Sequence, residues 1–450
     1  MNIVIIGGVA AGSKAAAKIK RLLPQASVKI FTDDTHVSYS ACGLPYYIQG
    51  NFKDYRALLV RSVEEFKKSG IDVFLEHKVT KIDTKAQNVT VHNAYSDFYV
   101  PYDKLIIATG ARAFIPAIKG IKEYKNIYTL RKIEDGITIR EKMLQSKKAV
   151  IAGSGYIGLE LLEAFVHNGL DVTVIERKNR IMPAFDEDMS EVIQDSLESI
   201  PDRNFELITG ESLVEVTGEG ENANILKTST GRELETDFVV LCAGVVPNAE
   251  LAGAAGITIG HTGAIKVNKL MQTSIPNIYA CGDCCEEPHL INGKSVWVPL
   301  GSTANKEGRC AALNAAGVYT VFEGVLGSAV TRCLNTTMSM TGFTEKQAEE
   351  FGYTPVSATI NKHDMVSYMP GAGDITLKVV ADKATGLLLG GQAAGAIGAD
   401  KRINSLAAAL VGRLTVKEFA NNDLTYSPPF STTIDPLLDA MNLLQAKLGC

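Results

Sequence analysis

The sequence contains no long apolar run, no excess of one charge and no cysteine framework. Its longest unbroken hydrophobic stretches, such as residues 238–246, fall well short of the ~18 residues that span a bilayer, so no transmembrane helix and no membrane partner are expected. Lys and Arg number 45 against 50 Asp and Glu, a net charge of −5 with the signs mixed along the chain, so no nucleic-acid partner is expected. The apolar start has no basic residue before it and breaks at Gly7-Gly8, as a buried first strand does and a signal peptide does not. The eight cysteines, at 42, 242, 281, 284, 285, 310, 333 and 450, show no spacing of a secreted disulfide scaffold and fit a reducing, cytoplasmic setting. Cys281 and Cys284 form a C-x-x-C, but no second pair stands at zinc-ribbon spacing and only His289 lies near, so no metal is expected.

What is present is ordinary globular material. The 450 residues are 46% apolar and 21% charged, and a length three times the ~150 residues of one typical domain suggests two or three domains. One pattern occurs twice: a β-branched strand, a glycine-rich turn, a helix, then a second strand ending near an acid. The first copy runs from residue 3 through Gly7, Gly8 and Gly12 into a helix to about Leu23, with its second strand at 28–31. The second begins 146 residues later with Gly153, Gly155 and Gly158, a helix to about Asn168 and a strand at 172–175. Such a turn aims helix-terminal N–H groups at a pyrophosphate, and the helix dipole favours the same charge. One motif alone would be weak; the pair indicates two Rossmann-like dinucleotide sites.

The second copy is the cleaner. Glu176 ends its second strand, where a carboxylate holds a ribose 2′-hydroxyl and repels a 2′-phosphate, favouring NADH. Arg177 and Lys178 follow and would soften that preference, so NADPH stays open. In the first copy Val9 replaces the middle glycine and Thr32 ends the strand, leaving Asp33 to hold an adenosine ribose. Two further strands end in nucleotide-type turns, one at Ala108, Thr109 and Gly110, the other at Gly282 and Asp283, a carboxylate placed for a polyol. From about residue 327 the pattern changes to strands (377–380 and 386–392) and an alanine-rich helix over 402–413.

These motifs, with residues 38–47 (Ser-Tyr-Ser-Ala-Cys-Gly-Leu-Pro-Tyr-Tyr) and 426–430 (Tyr-Ser-Pro-Pro-Phe), resemble the flavin-dependent pyridine nucleotide–disulfide oxidoreductases over essentially the whole chain. Within them the chain is similar to the single-cysteine branch: coenzyme A-disulfide reductases, persulfide reductases, NADH oxidases and NADH peroxidases. The resemblance implies an α/β fold with two Rossmann-like domains, for FAD (1–112 and 245–325) and NAD(P)H (113–244), and a C-terminal α+β dimerisation domain (326–450) that makes a homodimer. It assigns FAD to the first glycine turn, Asp33, the 108–110 turn, Gly244, Gly282, Asp283 and Ala304. It assigns the nicotinamide nucleotide to Gly153, Gly155, Gly158 and Glu176, with Tyr156 as a gate and Glu160 beside the ring.

Cys42 is the expected redox centre. Two-cysteine flavin reductases carry a second cysteine five positions on, where this chain has Tyr47, so Cys42 would cycle with an external sulfur or as a sulfenic acid. A helix N-terminus and a flavin nearby would favour its thiolate. Cys281, Cys284 and Cys285 read as packing residues near the flavin turn, Cys242, Cys310 and Cys333 as core or incidental, and the terminal Cys450 as open in role.

The substrate reading rests on what surrounds that cysteine. Peroxidases and oxidases of the branch typically place a histidine in the first glycine turn; here that position is Ala10, which removes an acid/base group. Disulfide-reducing members use tyrosines of the terminal domain against the partner's cysteine, which points to Tyr426 and, second, Tyr368. A coenzyme A site should be basic. Lys14, Lys18 and Arg21 share a stripe of the first helix, Arg61 and Arg309 lie in segments resembling substrate-lining regions, and Ser38 either bonds the substrate or shapes the turn. The expected function is reduction of a low-molecular-weight disulfide or persulfide, coenzyme A-linked. An NADH oxidase is the alternative, and a turnover-free sensor ranks third. With no rhodanese-like domain before the sequence ends, simple disulfides are expected ahead of persulfides.

Overall fold

A computed structural model describes residues 1–449; Cys450 lies outside them. The chain forms two compact units. Met1–Phe114, Leu130–Arg140 and Gly244–Val325 make the first; Ile115–Thr129, Glu141–Ala243 and the chain from Leu326 make the second.

The first unit is built on a five-stranded parallel sheet in the order Ile278–Ala280, Lys104–Ile107, Asn2–Ile6, Ser27–Phe31, Ile71–Phe74. Residues 3–6 are buried without alternation, as a parallel strand covered on both faces requires. The helices Ala10–Leu22 and Gly301–Ala315 pack against each other, Gly308 lying so close to the Ala11 carbonyl that a Cβ would sit 2.4 Å from its oxygen.

The second unit repeats the plan with Phe205–Thr209, Asp171–Glu176, Lys148–Ala152, Phe238–Leu241 and Ile127–Tyr128, again all parallel. It also holds a five-stranded antiparallel sheet, in the order Ala329–Cys333, Thr336–Gly342, Leu388–Gly395, Asp374–Asp382, Pro355–His363. The helix Ala399–Val411 packs on its middle strands, and Pro436–Leu448 packs on Pro355–His363.

The structure departs from the sequence-based boundaries in four places. Leu130–Arg140 belongs with the first unit, because Arg131 pairs with Asp283 and Arg140 lies over the Tyr47 ring. Residues 141–243 and the terminal sheet cluster as one unit; Lys378 of that sheet, itself buried, pairs with Asp186, Asp188 and Glu345 at 3.2, 2.9 and 2.9 Å. The apolar run 238–246 is split by the 242–244 turn into strands of different units. Gly386 lies in a turn at φ +69°, so the strand expected from it starts at Leu388.

Candidate functional site

The two glycine turns have one geometry. Gly7 and Gly153 have φ of +100° and +113°, and a Cβ on either would stand 2.1 Å from the Ala108 carbonyl oxygen or 2.3 Å from that of Cys242. Their N–H groups each donate at 2.8 Å to the end of the neighbouring strand, at Phe31 and Ile175. Gly12 and Gly158 close the turns, a Cβ on either falling 2.0 Å from the carbonyl oxygen of Gly7 or Gly153. Helix and strand can approach this closely only without a side chain. At the middle position Gly155 has no atom within 4 Å of its would-be Cβ, the open approach a pyrophosphate needs. Val9 stands at that position in the first copy, as the residue before the helix.

The acids that follow differ. Glu176 is buried and faces its own turn: Oε2 accepts from the Ser154 N–H at 3.0 Å and hydroxyl at 2.8 Å, and Oε1 from the Lys178 N–H at 2.9 Å. Arg177 and Lys178 are exposed beside it. In the first copy Thr32 is buried and Asp33 exposed, with Lys132 Nζ at 3.8 Å. Asp34 is buried instead and accepts from Tyr39 at 2.8 Å; burial first, then this carboxylate, pushes the Tyr39 hydroxyl far up.

Around the polyol position the residues fit a flavin dinucleotide. Asp283 faces Arg131 at 3.3 Å, its carbonyl takes the Trp297 indole N–H at 2.9 Å, and Gly282 is so close to Ala11 that a Cβ there would meet the alanine's at 2.9 Å and that of buried Ala304 at 3.6 Å. Glu307 adjoins Gly282 with a buried carboxyl oxygen that has no hydrogen-bond partner among the described residues. Thr109 is locked to Asn248 by reciprocal bonds of 2.7 and 2.9 Å, Gly110 accepts from the Asn248 N–H at 2.9 Å, and Gly244 accepts from that of Phe114 at 2.9 Å. Sequence reasoning missed Arg131, Asn248, Trp297 and Glu307, because each acts on a residue distant in the chain. Cys281, Cys284 and Cys285 are fully buried, and burial raises the Cys281 thiol.

Cys42 is exposed, in the short turn Ala41–Gly43 ahead of the helix Leu44–Gln49. Its sulfur lies 3.8 Å from where a Cβ on Gly301 would be, and Gly301 opens the 15-residue helix that also carries Ala304 and Glu307. Tyr47 is buried under the Arg140 guanidinium, 4.5 Å from its ring. Ser38 shapes the approach: at φ +52° it donates its N–H to the Gly8 carbonyl at 2.8 Å and accepts from Val60 at 2.7 Å, tying the cysteine segment to the glycine turn. Lys14 and Lys18 are half-buried on the first helix, and Arg21 is exposed with its Nε on the Ala17 carbonyl. Arg309 is exposed, while Arg61 stacks 4.8 Å from the Phe66 ring and bonds Ser69 at 2.9 Å, a local commitment the sequence did not reveal.

In the second unit Tyr156 begins its helix, half-buried, and burial pushes its hydroxyl up to about 12. Glu160 accepts the Thr331 hydroxyl at 2.9 Å, with burial raising its carboxyl. Tyr426 and Tyr368 are 47% and 73% exposed. One buried side chain anchors both their segments. Arg402 donates at 2.8 Å to the Asp364 carbonyl at the base of the Tyr368 loop, and at 2.9 Å to Asp435, which also takes the Ser431 hydroxyl at the end of the Tyr426 segment.

The model of the pyridine nucleotide-disulphide oxidoreductase family matches residues 1–308, and that of its dimerisation domain matches 330–437. The NAD(P)H sulfur oxidoreductase (CoA-dependent) of Pyrococcus abyssi is 39% identical over 449 residues, covering 99% of this chain and 98% of that protein. The NADH oxidase of Methanocaldococcus jannaschii is 34% identical, covering 99% and 100%. The structure of a NAD-dependent persulfide reductase from A. fulgidus superposes with a TM-score of 0.96 at 36% identity, covering 100% of this chain and 84% of that one. No helix among the described residues is long and apolar enough to cross a membrane.

Proposed function

Because the chain belongs to the pyridine nucleotide–disulphide oxidoreductase family, we propose that it uses NAD(P)H and FAD to reduce a coenzyme A-linked disulfide or persulfide through Cys42, as a homodimer in the reducing cytoplasm. The observation that carries this reading is the exposed Cys42 sulfur beside the first residue of a long helix, with Tyr47 where a second thiol would stand. The helix dipole favours a thiolate there, and a lone thiol must take its partner sulfur from the substrate.

The residues divide the work. Gly7, Gly8, Gly12, Asp33, the 108–110 turn, Gly244, Gly282, Asp283 and Ala304 hold FAD, with Arg131 balancing Asp283. Gly153, Gly155, Gly158 and Glu176 hold the nicotinamide nucleotide, Tyr156 moves aside as it enters, and Glu160 stands beside its ring. When bound, FAD carries two electrons from NADH to the sulfur centre. Cys42 attacks one sulfur of the substrate; the S–S bond breaks, a mixed disulfide forms on Cys42, and the departing thiolate takes a proton from Tyr426 acting across the homodimer, with Tyr368 in support. Lys14, Lys18, Arg21 and Arg309 offer charge for the phosphates of coenzyme A, and Ser38 shapes the entrance. Arg61 is the weakest member of that set, since its guanidinium is held by Phe66 and Ser69.

Steady-state turnover with NADH against coenzyme A disulfide, coenzyme A persulfide, peroxide and oxygen, in the wild type and in Cys42→Ser, tests this. The serine variant should still accept electrons from NADH while losing disulfide and persulfide turnover; full turnover would refute the role of Cys42. The oxidase alternative has the support of relatives named as oxidases, and Ala10 in the first glycine turn argues against it. Oxygen consumption exceeding disulfide turnover would decide for it.

A further inference from the structure

Glu307 is 1% exposed, two turns into the helix Gly301–Ala315. Its Oε2 accepts the Gly282 N–H at 2.6 Å and stands 3.6 Å from the Cys285 sulfur, while Oε1 is buried with no hydrogen-bond partner among the described residues. Its surroundings are acids and thiols. Cys281, Asp283 and Cys284 face it from the turn after the strand Ile278–Ala280, Cys285 and Glu287 from the strand Cys285–Pro288, and Cys310 from its own helix. The first helix packs opposite, but none of Lys14, Lys18, Lys20 or Arg21 forms an ion pair with it among the described residues, and Arg309 is exposed. Glu287 is also buried and gives Oε1 to the Val298 N–H at 2.9 Å. Burial raises both carboxyls; for Glu287 repulsion from Glu307 comes next, while for Glu307 the Gly282 N–H offsets part of the rise and the neighbouring Cys284 and Asp283 add to it. A buried carboxylate with an unanswered oxygen and no cation costs more than the neutral acid.

We propose that Glu307 is a positioning residue of the FAD cradle, a neutral acid that fixes the Gly282–Asp283 turn through Oε2 and carries on Oε1 a proton whose loss weakens FAD binding. The inference rests on that turn holding FAD. Ionised, Glu307 would set a second negative charge beside Asp283, next to a site that must admit a pyrophosphate. FAD retention and proton retention therefore favour each other, and FAD should be lost more readily as pH rises.

The test follows FAD release from the holoprotein, by the fluorescence of free FAD after dilution, at about pH 6 and about pH 9.5, on either side of the range documented for buried glutamates. The wild type should release FAD faster at the higher pH by up to about tenfold, the limit set by a pKa difference of about one unit between the FAD-bound and FAD-free forms. Glu307→Gln keeps an acceptor for Gly282 and cannot ionise. It should release FAD at the lower pH within about threefold of the wild type and change little with pH. Glu307→Ala should release FAD faster at both. Thermal melting of the holoproteins adds a readout independent of release. An unfolded glutamate ionises at about pH 4.3 while a raised one in the fold stays protonated, so the wild type should lose stability relative to Glu307→Gln as pH rises from there through its folded value. A flat release profile in the wild type, equal pH dependence in the glutamine variant, or parallel melting curves would overturn the proposal. Purified protein that contains no FAD and takes none up would overturn the reading of the turn itself, a different failure from FAD bound with a flat profile.

Discussion

The sulfur of Cys42 and the first residue of the helix Gly301–Ala315 are neighbours: a Cβ on Gly301 would lie 3.8 Å from Sγ, at ordinary van der Waals distance. The pair is separated by more than half the chain, and it gives the thiol both an electropositive helix end and an unobstructed side.

That contact predicts the effect of bulk. Gly301→Ala should be tolerated, while the γ-methyl groups of Gly301→Val reach toward the sulfur and obstruct an incoming disulfide. Valine should lower disulfide turnover by about tenfold or more and leave reduction of the bound flavin by NADH within about threefold, as single-turnover absorbance can separate. A parallel fall in both rates would show that the helix start, not the sulfur, had been disturbed.

Tyr426 is exposed and carries a hydroxyl suited to a departing thiolate. Tyr426→Phe should slow coenzyme A-disulfide reduction by roughly 10²-fold and spare any reduction of oxygen, which has no leaving thiolate. If the tyrosine acts across a two-fold interface, a monomeric variant, checked by sedimentation, should lose disulfide turnover as well.

The anchor beneath both tyrosine segments predicts a stability effect with a definite pH dependence. Burial raises the Asp435 carboxyl, but the Arg402 guanidinium outweighs it and holds the group below the usual carboxylate range. Asp435→Asn leaves buried Arg402 without its counter-charge, and should cost about 3–5 kcal/mol near neutral pH by denaturant unfolding. Because the folded carboxyl is depressed, this stabilisation is present above the unfolded value and lost as pH falls through the folded one. The gap between wild type and variant should close in acid; a constant gap would mean that the lost contribution is not the charge.

Glu176 predicts nucleotide choice. Its carboxylate is held on the Ser154 N–H and hydroxyl, which fixes it against the second glycine turn. Glu176→Ala removes a charge that repels a 2′-phosphate and leaves exposed Arg177 and Lys178 beside the site. The ratio of kcat/KM for NADPH to that for NADH should rise by about tenfold, or ~1.4 kcal/mol of discrimination. An unchanged ratio would place the discrimination elsewhere.

The sequence by itself determined the two dinucleotide turns and the absence of a second cysteine near Cys42. Gly7, Gly12, Gly153 and Gly158 are legible because a missing side chain is a local fact. Any other residue there would collide with a neighbouring carbonyl, so the motif and its geometry are one constraint. Tyr47 was equally legible, since the absence of a second thiol follows from a single position. Only the tertiary structure decided which residues meet from afar. Arg131 reaches Asp283, Gly301 lies under Cys42, Arg402 joins the bases of the Tyr368 and Tyr426 segments, and Glu307 fastens Gly282. Each of these looks like a surface charge or a spacer in the linear chain, and helix propensity leaves its partner unspecified. Burial gives such a residue its role, because a charge or polar atom removed from water must find its counterpart wherever packing has brought one. The same packing set Arg61 over the Phe66 ring and bonded it to Ser69, contacts the linear chain does not show.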